Sequence, residues 1–148
     1  SKSLVSTCNG HTNEVYAVAA MPDGQRILSG GGDGGGDGGG GDIFDDGDTA
    51  VRVHLLDGTL ENTFTLHFKT VTALVALPDN QHALSGSDDK TVKLFNVNGP
   101  PSRETIVRTF THHTAWVTSL ALLPDGLRFV SGSHDTTARI AYHGLAPQ

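Results

Sequence analysis

A histidine, a serine and an aspartate recur along this chain at fixed distances from one another. In the middle copy they are His67, Ser85 and Asp89, and the serine follows the histidine by eighteen positions. Hydrogen bonded in this order, these residue types form the nucleophile, base and orienting acid of serine hydrolases. In a dry interior they can instead form a polar network in which each group satisfies its neighbour. The number of copies and their surroundings decide between the two chemistries.

The set occurs three times, which favours the structural chemistry. A hydrolase needs only one such set, and none of the serines lies in the G-x-S-x-G turn that exposes a nucleophile. We therefore predict buried polar networks and no enzymatic activity. In the first copy the acid is either Asp33 or Asp48. The remaining residues of the first and third copies are His11 and Ser29, and His113, Ser131 and Asp135.

Short apolar segments separated by turns must position these side chains. The run from Val15 to Ala20 has the length and apolar character of a strand buried on both faces. Pro22-Asp23-Gly24 is a turn sequence, because proline fixes φ and glycine accepts the tight backbone. No helix is predicted. Strands are predicted over residues 3–8, 15–20, 26–29, 50–55, 60–66, 70–77, 81–85, 91–96, 105–111, 116–122, 127–131 and 137–142.

Motifs in a common register surround the three copies: Gly10-His11, Pro22-Asp23-Gly24, Ser85–Asp89 and Thr91–Phe95. With them each copy resembles a WD repeat, the four-stranded antiparallel blade of a β-propeller. The resemblance implies an all-β fold with three blades in this chain. The sequence departs from the family at the Trp-Asp dipeptide. The tryptophan position holds His54, Phe95 and Ala141, and the aspartate position holds Leu55, Asn96 and Tyr142.

Counted as blades, the chain reads as a single propeller segment. We expect residues 1–9 to be an outer strand that completes a last blade, and residues 10–65 to form blade 1 with an insertion at 30–48. Residues 66–111 would form blade 2, and residues 112–148 would form blade 3 without its outer strand. Propellers close with about four to eight blades. We therefore expect a homodimer that exchanges outer strands in a six-bladed ring, with a nine-bladed trimer or a piece of a longer propeller as alternatives.

The resemblance also implies which side chains are structural. In WD repeats the histidine, serine and aspartate bond one another inside the blade, in a network that ends on the tryptophan. Arg52, Lys93 and Arg139 repeat at one further position and are expected to form a solvated outer face. The implied network residues are His11, Ser29, Asp48, His67, Ser85, Asp89, His113, Ser131 and Asp135.

Partner contacts in WD-repeat proteins often come from residues flanking the valine after the histidine turn, and from the residue before the turn aspartate. Trp116 is the strongest candidate, because it is the only tryptophan and aromatic side chains anchor interfaces. Packing within the blade top is the alternative role for Trp116 and for Tyr16. The implied partner-binding residues are Glu14, Tyr16, Thr70, Thr72, Trp116, Thr118, Asp88 and His134.

A glycine-aspartate tract lengthens the turn between the second and third strands of blade 1. Its carboxylates could bind calcium, which prefers hard oxygen ligands. Their spacing matches neither the helix-loop-helix calcium pattern nor the glycine-rich nonapeptide repeat. We interpret the tract as an expanded surface loop and predict neither a metal site nor a cofactor. The weak candidate ligands are Asp33, Asp37, Asp42, Asp45, Asp46 and Asp48.

The bulk composition excludes several classes of function. The net charge of the 148 residues is −6, and the ten basic residues are dispersed, which disfavours nucleic acid as a partner. No apolar run is long enough to cross a membrane. The single cysteine and the absence of a signal sequence predict a soluble cytoplasmic protein. We expect a non-enzymatic scaffold for a protein or peptide, and the alternatives are a self-assembling structural or engineered building block and a calcium-binding propeller.

Overall fold

The computed structural model describes residues 3–32 and 48–146, and the fold in these ranges is all-β, as predicted. One short 3-10 helix, Arg103–Thr105, precedes the eighth strand, where the sequence had indicated only a loop and a strand. The strands are β1 (Val15–Ala20), β2 (Arg26–Gly31), β3 (Val51–Leu55), β4 (Leu60–Phe64), β5 (Val71–Ala76), β6 (His82–Ser87), β7 (Val92–Asn96), β8 (Ile106–Phe110), β9 (Val117–Leu122), β10 (Arg128–Ser133) and β11 (Ala138–Tyr142).

The strands form three antiparallel meanders, which we call blades 1, 2 and 3. Blade 1 has the order β1-β2-β3-β4, and blade 2 has the order β5-β6-β7-β8. Blade 3 contains β9, β10 and β11 in the same arrangement, and no fourth strand pairs with β11 in the described ranges. The pairing register repeats from blade to blade: Leu28 faces Val53 in blade 1, and the equivalent Leu84 faces Leu94 in blade 2.

An aspartate fixes the turn between the first two strands of every blade. Asp23 Oδ1 accepts hydrogen bonds from the backbone N–H groups of Gln25 and Arg26, at 2.8 and 3.2 Å. Gly24 follows with φ +66°, a left-handed conformation that glycine adopts without steric strain. In blade 2 Asn80 takes this position with φ 59°, consistent with the tolerance of asparagine for that region.

The blades pack on each other through their first strands, β1 against β5 and β5 against β9. Glycines on the second strands allow the close approach. A methyl group added to Gly30 would lie 2.6 Å from Val71 Cγ1, and one added to Gly86 would lie 2.8 Å from Val117 Cγ1. Two apolar clusters fill the two junctions, one containing Leu28, Val53, Phe64, Val71, Leu74 and Phe95, the other containing Leu84, Leu94, Phe110, Val117 and Phe129.

The strand predicted over residues 3–8 is absent, because no neighbouring strand pairs with this segment in the described ranges. The segment instead lies against blade 1. Ser6 Oγ donates a hydrogen bond of 2.6 Å to the carbonyl oxygen of Leu56. The carbonyl oxygen of Asn9 accepts one of 2.9 Å from His54 Nε2. Strand geometry requires a partner, which this segment does not have in the single chain, so its predicted pairing with a second copy stays a prediction.

Two burial predictions differ from what the single chain shows. The strand at 15–20 was expected to be buried on both faces, but Val18 is 70 % exposed, because no blade covers this side of blade 1 in the described ranges. The basic residues expected on a solvated face differ from one another. Arg139 is exposed, whereas Lys93 is buried and Arg52 is engaged with an aspartate at 2.7 Å. One repeat position therefore lies in three environments.

Candidate functional site

Blades 2 and 3 each bring the histidine, serine and aspartate of the repeat into one hydrogen-bonded chain. In blade 2, His67 Nδ1 lies 2.7 Å from Asp89 Oδ2, and His67 Nε2 lies 2.7 Å from Ser85 Oγ. An Nδ1–H that donates to the carboxylate leaves Nε2 to accept from the serine hydroxyl, so all three groups are satisfied. In blade 3 the same distance of 2.7 Å joins His113 to Asp135 and to Ser131.

A threonine completes these two networks. Thr91 Oγ1 donates to Asp89 Oδ1 at 2.5 Å, and the backbone N–H of Thr91 donates to the same oxygen at 2.9 Å. Burial disfavours the charged form of Asp89, but the bonds from His67 and Thr91 outweigh it and lower the pKa of Asp89 to about 2. In blade 3, hydrogen bonds from Thr137 and then from His113 hold the pKa of Asp135 well below its usual range.

Blade 1 builds its network with an arginine in place of the threonine. His11 Nδ1 lies 2.6 Å from Asp48 Oδ2, and His11 Nε2 lies 2.7 Å from Ser29 Oγ. Arg52 Nη1 lies 2.7 Å from both carboxylate oxygens of Asp48. Ala50 occupies the position of Thr91 in blade 2. The acid of the first copy is thus Asp48, and Asp33, the other residue considered, is outside the described residues.

The arginine changes the electrostatics of blade 1. Burial lowers the pKa of His11, and the positive charge of Arg52 acts in the same direction against the bond to Asp48. Burial also disfavours a charged Asp48, but hydrogen bonds from Arg52, from the Thr12 N–H and from His11 together lower the pKa of this carboxyl. The network of blade 1 is therefore held as a neutral histidine beside an arginine–aspartate ion pair.

The serines of the three networks are poorly placed for catalysis. Ser29, Ser85 and Ser131 are all buried, so their hydroxyl groups do not face a substrate. Activated nucleophiles in hydrolases lie where a substrate carbonyl and an oxyanion site can reach them. These networks connect the histidine turn to the second strand of each blade by hydrogen bonds, and they fix the position of that turn.

Backbone hydrogen bonds place the predicted partner-binding residues in pairs at one end of the blades. The N–H of Asp88 donates to the Thr70 carbonyl at 3.1 Å, and the N–H of His134 donates to the Trp116 carbonyl at 2.9 Å. Blade 1 has the same bond, of 3.0 Å, from Gly32 to Glu14. Sequence reasoning missed Gly32, although its place before the turn aspartate follows from the shared register. We call the exposed or half-buried side chains at this end the top face: Glu14, Tyr16, Asp88, Trp116, Thr118 and His134.

An aromatic pair dominates the top face of blade 3. The rings of Trp116 and His134 have centroids 5.0 Å apart and planes inclined by 38°. The tryptophan is 47 % exposed, so about half of its surface stays accessible while its ring contacts the histidine. In blade 1 the Tyr16 hydroxyl donates to Glu14 Oε2 at 3.4 Å. The top face therefore offers aromatic surface beside carboxylate groups.

A family model described as WD domain, G-beta repeat matches residues 2–35, 58–96 and 104–140, which is well over half of the chain. The three matches coincide with the three copies of the histidine turn and the strands after it. The chain belongs to the WD40-repeat family. A search of curated proteins found no match. The predicted resemblance is confirmed, and WD40 domains are generally non-catalytic modules that bind proteins.

Two predicted partner-binding residues, Thr70 and Thr72, are covered by neighbouring blades of this WD40 segment. Thr70 is buried, and a methyl group added to Gly32 would meet both the Thr70 methyl group and the Tyr16 ring. Thr72 is half-buried, and its single hydroxyl proton is shared between the carbonyl oxygen of Gly86 in its own blade and that of Val117 across the junction with blade 3. Both were expected at a partner-binding surface. Blade 1 covers Thr70 and blade 3 covers Thr72, so we leave both out of the top face.

The WD40 dipeptide position distinguishes the blades. His54 occupies the tryptophan position in blade 1 and is fully buried. Its Nε2 lies 2.9 Å from the carbonyl oxygen of Asn9, but its Nδ1 is buried and has no hydrogen-bond partner among the described residues. In blade 2 the apolar Phe95 takes this position and packs on Phe64 with ring centroids 5.6 Å apart. The sequence could not predict the unsatisfied nitrogen. Both ring nitrogens of a histidine can form hydrogen bonds, and a sequence pattern does not show which of them has a partner.

Cation binding finds no support in the described part of this WD40 chain. Asp48 has both carboxylate oxygens bonded to Arg52. The other weak candidates, Asp37, Asp42, Asp45 and Asp46, and Asp33 with them, lie outside the described residues. No group of three metal-ligating side chains occurs within residues 3–32 and 48–146. Over those same ranges, no helix has both the length and the apolar character to cross a bilayer.

Proposed function

We propose that this WD40-repeat chain is a non-enzymatic scaffold that binds a protein or peptide partner on its top face. The observation that supports this most directly is the exposed Trp116, whose ring centroid lies 5.0 Å from that of His134. A tryptophan contributes a large contact area for little loss of conformational freedom, and such residues are frequent energetic centres of interfaces. The hydrogen-bonded networks beneath it keep the turn rigid, so little ordering is needed on binding.

The composition of the top face supports a protein or peptide over nucleic acid or a membrane. Glu14 and Asp88 are acidic, and the net charge of the chain is −6. Phosphate-rich partners require a concentrated positive surface. An extended peptide with apolar and basic side chains fits better, because the open tryptophan ring takes an apolar or cationic group and the carboxylates accept its hydrogen bonds.

Selection from a random peptide library displayed on phage tests this proposal. Peptides enriched on the wild-type chain should bind Trp116→Ala about 30-fold more weakly, the loss typical of a central interface residue. Tyr142→Ala is the matched control, because this tyrosine is also exposed but lies at the far end of β11. Equal binding to wild type and Trp116→Ala, or equal losses in both variants, would refute the proposed site.

We also propose that two copies associate to close a six-bladed ring, with three copies in a nine-bladed ring as the less usual alternative. The exposed first-strand side chains of blade 1, Val15 and Val18, support this, since their counterparts in blade 2 are buried. Light scattering behind a sizing column should give twice the chain mass of 15.5 kDa. A mass of one chain at micromolar concentration would refute self-association. The remaining blades would then have to come from additional polypeptide.

A further inference from the structure

The segment from Leu4 to Cys8 has the sequence pattern of an outer blade strand. Counted back from the histidine of the following turn, an apolar residue stands at the seventh position and a threonine at the fourth in all three copies. The equivalent apolar residues and threonines are Leu4 and Thr7, Leu60 and Thr63 of β4, and Ile106 and Thr109 of β8.

This segment also lies where an outer strand should lie. In β4, Asn62 Nδ2 donates at 3.3 Å to the carbonyl oxygen of Gly99, in the turn after the third strand of the next blade. Ser6 is the equivalent residue, and its hydroxyl donates at 2.6 Å to Leu56, in the corresponding turn of blade 1. Residues 4–8 therefore contact blade 1 as β4 contacts blade 2, yet Leu4 is 81 % exposed and no strand beside it accepts the pairing.

The edge that lacks such a strand belongs to blade 3. β3 pairs with β4 and β7 pairs with β8, but the outer edge of β11 pairs with no strand in the described ranges. Ile140, in the middle of β11, is exposed, whereas the equivalent Leu94 of β7 is buried. An unpaired edge with open backbone groups is a template for adding a strand.

The blade faces beside these two strands are complementary as well. Gly86 of blade 2 receives Val117 from blade 3, and Gly30 of blade 1 receives Val71 from blade 2. Gly132 of β10 is the equivalent glycine of blade 3, and the atoms nearest to a methyl group added there belong to Ser119 and Thr118 of β9, in the same blade. The equivalent valine of blade 1, Val15, is exposed. A second copy thus presents both the strand and the valine that blade 3 lacks.

We propose that residues 4–8 of one copy form the outer strand of blade 3 in a second copy, paired antiparallel with β11. The register follows from β3–β4 and β7–β8, where Arg52 faces Thr63 and Lys93 faces Thr109. By equivalence Thr7 faces Arg139, and Cys8 faces Ala138. The inference rests on the proposed association of two copies and specifies the contact that holds them together.

Cys8 makes the register directly testable. Facing residues of antiparallel strands have Cα atoms about 4.5–5.5 Å apart, within the range that a disulfide spans. Oxidation of Ala138→Cys should therefore give a non-reducing band at twice the 15.5 kDa chain mass, because two symmetric crosslinks close one dimer. Arg139→Cys is the matched control, since a side chain one position along β11 points to the opposite face of the sheet. It should give little crosslinking, and Cys8→Ser in the Ala138→Cys background should abolish the band.

The outcomes separate this inference from the association itself. Wild-type chain of double mass without crosslinking in Ala138→Cys would overturn the strand exchange and leave dimerisation through other contacts. Equal crosslinking in Ala138→Cys and Arg139→Cys would overturn the register. If both thiols of Ala138→Cys were oxidised while the mass stayed at that of one chain, the disulfide would be intramolecular. Residues 4–8 would then pair with blade 3 of their own chain, which excludes the second copy as the source of the strand. A monomeric wild type without crosslinking would overturn both proposals.

Discussion

Blades 1 and 2 have the same strand order and register, but they differ in how their first strand is covered and in which residue completes their polar network. In blade 2 the first strand is covered on both sides, and Leu74 is 8 % exposed. The equivalent residue of blade 1, Val18, is 70 % exposed. Blade 2 completes its network with Thr91, whereas blade 1 uses Arg52 in an ion pair with its aspartate.

This difference shows that a repeat sequence specifies the strands of a blade but not the neighbouring blades that cover it. In repeat proteins, stability is the sum of what each repeat contributes and what each junction contributes. Blade 2 has two junctions in the described chain, and blade 1 has one. Equivalent substitutions in the two blades should therefore have unequal effects, and the predictions below use that inequality.

The largest expected effect is at the position of the family tryptophan. Phe95→His should lower the free energy of unfolding by about 3 kcal/mol, because it removes a fully buried ring from Phe64 and adds polar atoms to an apolar site. Urea unfolding followed by circular dichroism would measure it. Phe68→Ala is the control, since that phenylalanine is largely exposed. A loss no larger than in the control would mean that blade 2 tolerates a histidine as blade 1 does.

Inner-strand valines give the next largest contrast. Val71→Ala should cost about 2 kcal/mol, from lost apolar burial and the cavity left against Gly30. Val15→Ala, the same change at the equivalent position of blade 1, should stay within about 0.5 kcal/mol in dilute monomeric protein. At concentrations where copies associate, Val15→Ala should weaken the association. Equal losses in dilute solution would show that the end of blade 1 is already covered in the single chain.

Most of the fold could be predicted from the sequence, because the features that determine it are local. Turn sequences such as Pro22-Asp23-Gly24 and alternating short apolar runs specify the strands directly. The spacing of His67, Ser85 and Asp89 was sufficient to group these side chains, which the structure joins at 2.7 Å. Whether Asp48 was the acid of blade 1 could not be decided, since a long tract separates it from its strand and two aspartates fitted.

Burial was less predictable, because it depends on neighbours that the pattern of one blade does not contain. Thr70 and Trp116 occupy equivalent positions, yet Thr70 is buried under blade 1 while Trp116 is half exposed. Lys93 and Arg139 differ in the same way. The segment predicted as a strand over residues 3–8 is unpaired in the described chain for the related reason that pairing requires a partner at the right edge. Each error concerns the position of a neighbouring blade.

His54→Phe should be the one stabilising change in this series. The substitution removes the unsatisfied Nδ1 and makes blade 1 resemble blade 2, but it also removes the bond from Nε2 to Asn9. Because an unpaired buried polar atom costs about 1–3 kcal/mol and a typical hydrogen bond contributes about 1 kcal/mol, we expect a net gain of about 1 kcal/mol. His54→Leu is the control for apolarity without ring shape. A loss of stability in both variants would show that the Asn9 bond is the larger contribution.

The smallest effect is the response of the two networks to pH. The folded pKa of His11 is lowered, so the network of blade 1 contributes stability above the unfolded value of about 6.5 and loses it as the pH falls through the folded value. The pKa of Asp89 is about 2, so its contribution to blade 2 is lost only between about pH 4 and pH 2. Nuclear magnetic resonance titration of the His11 ring would follow the first event.

Arg52→Gln tests the cause of that difference. Removing the guanidinium charge should raise the pKa of His11, because Arg52 acts with burial to keep the imidazole neutral. Arg52→Lys keeps the charge and should change the pKa less, so it separates charge from side-chain shape. His11→Gln identifies the resonance among the eight histidines. An unchanged pKa in Arg52→Gln would assign the lowered value to burial alone, and the two networks would then differ in hydrogen bonding but not in electrostatics.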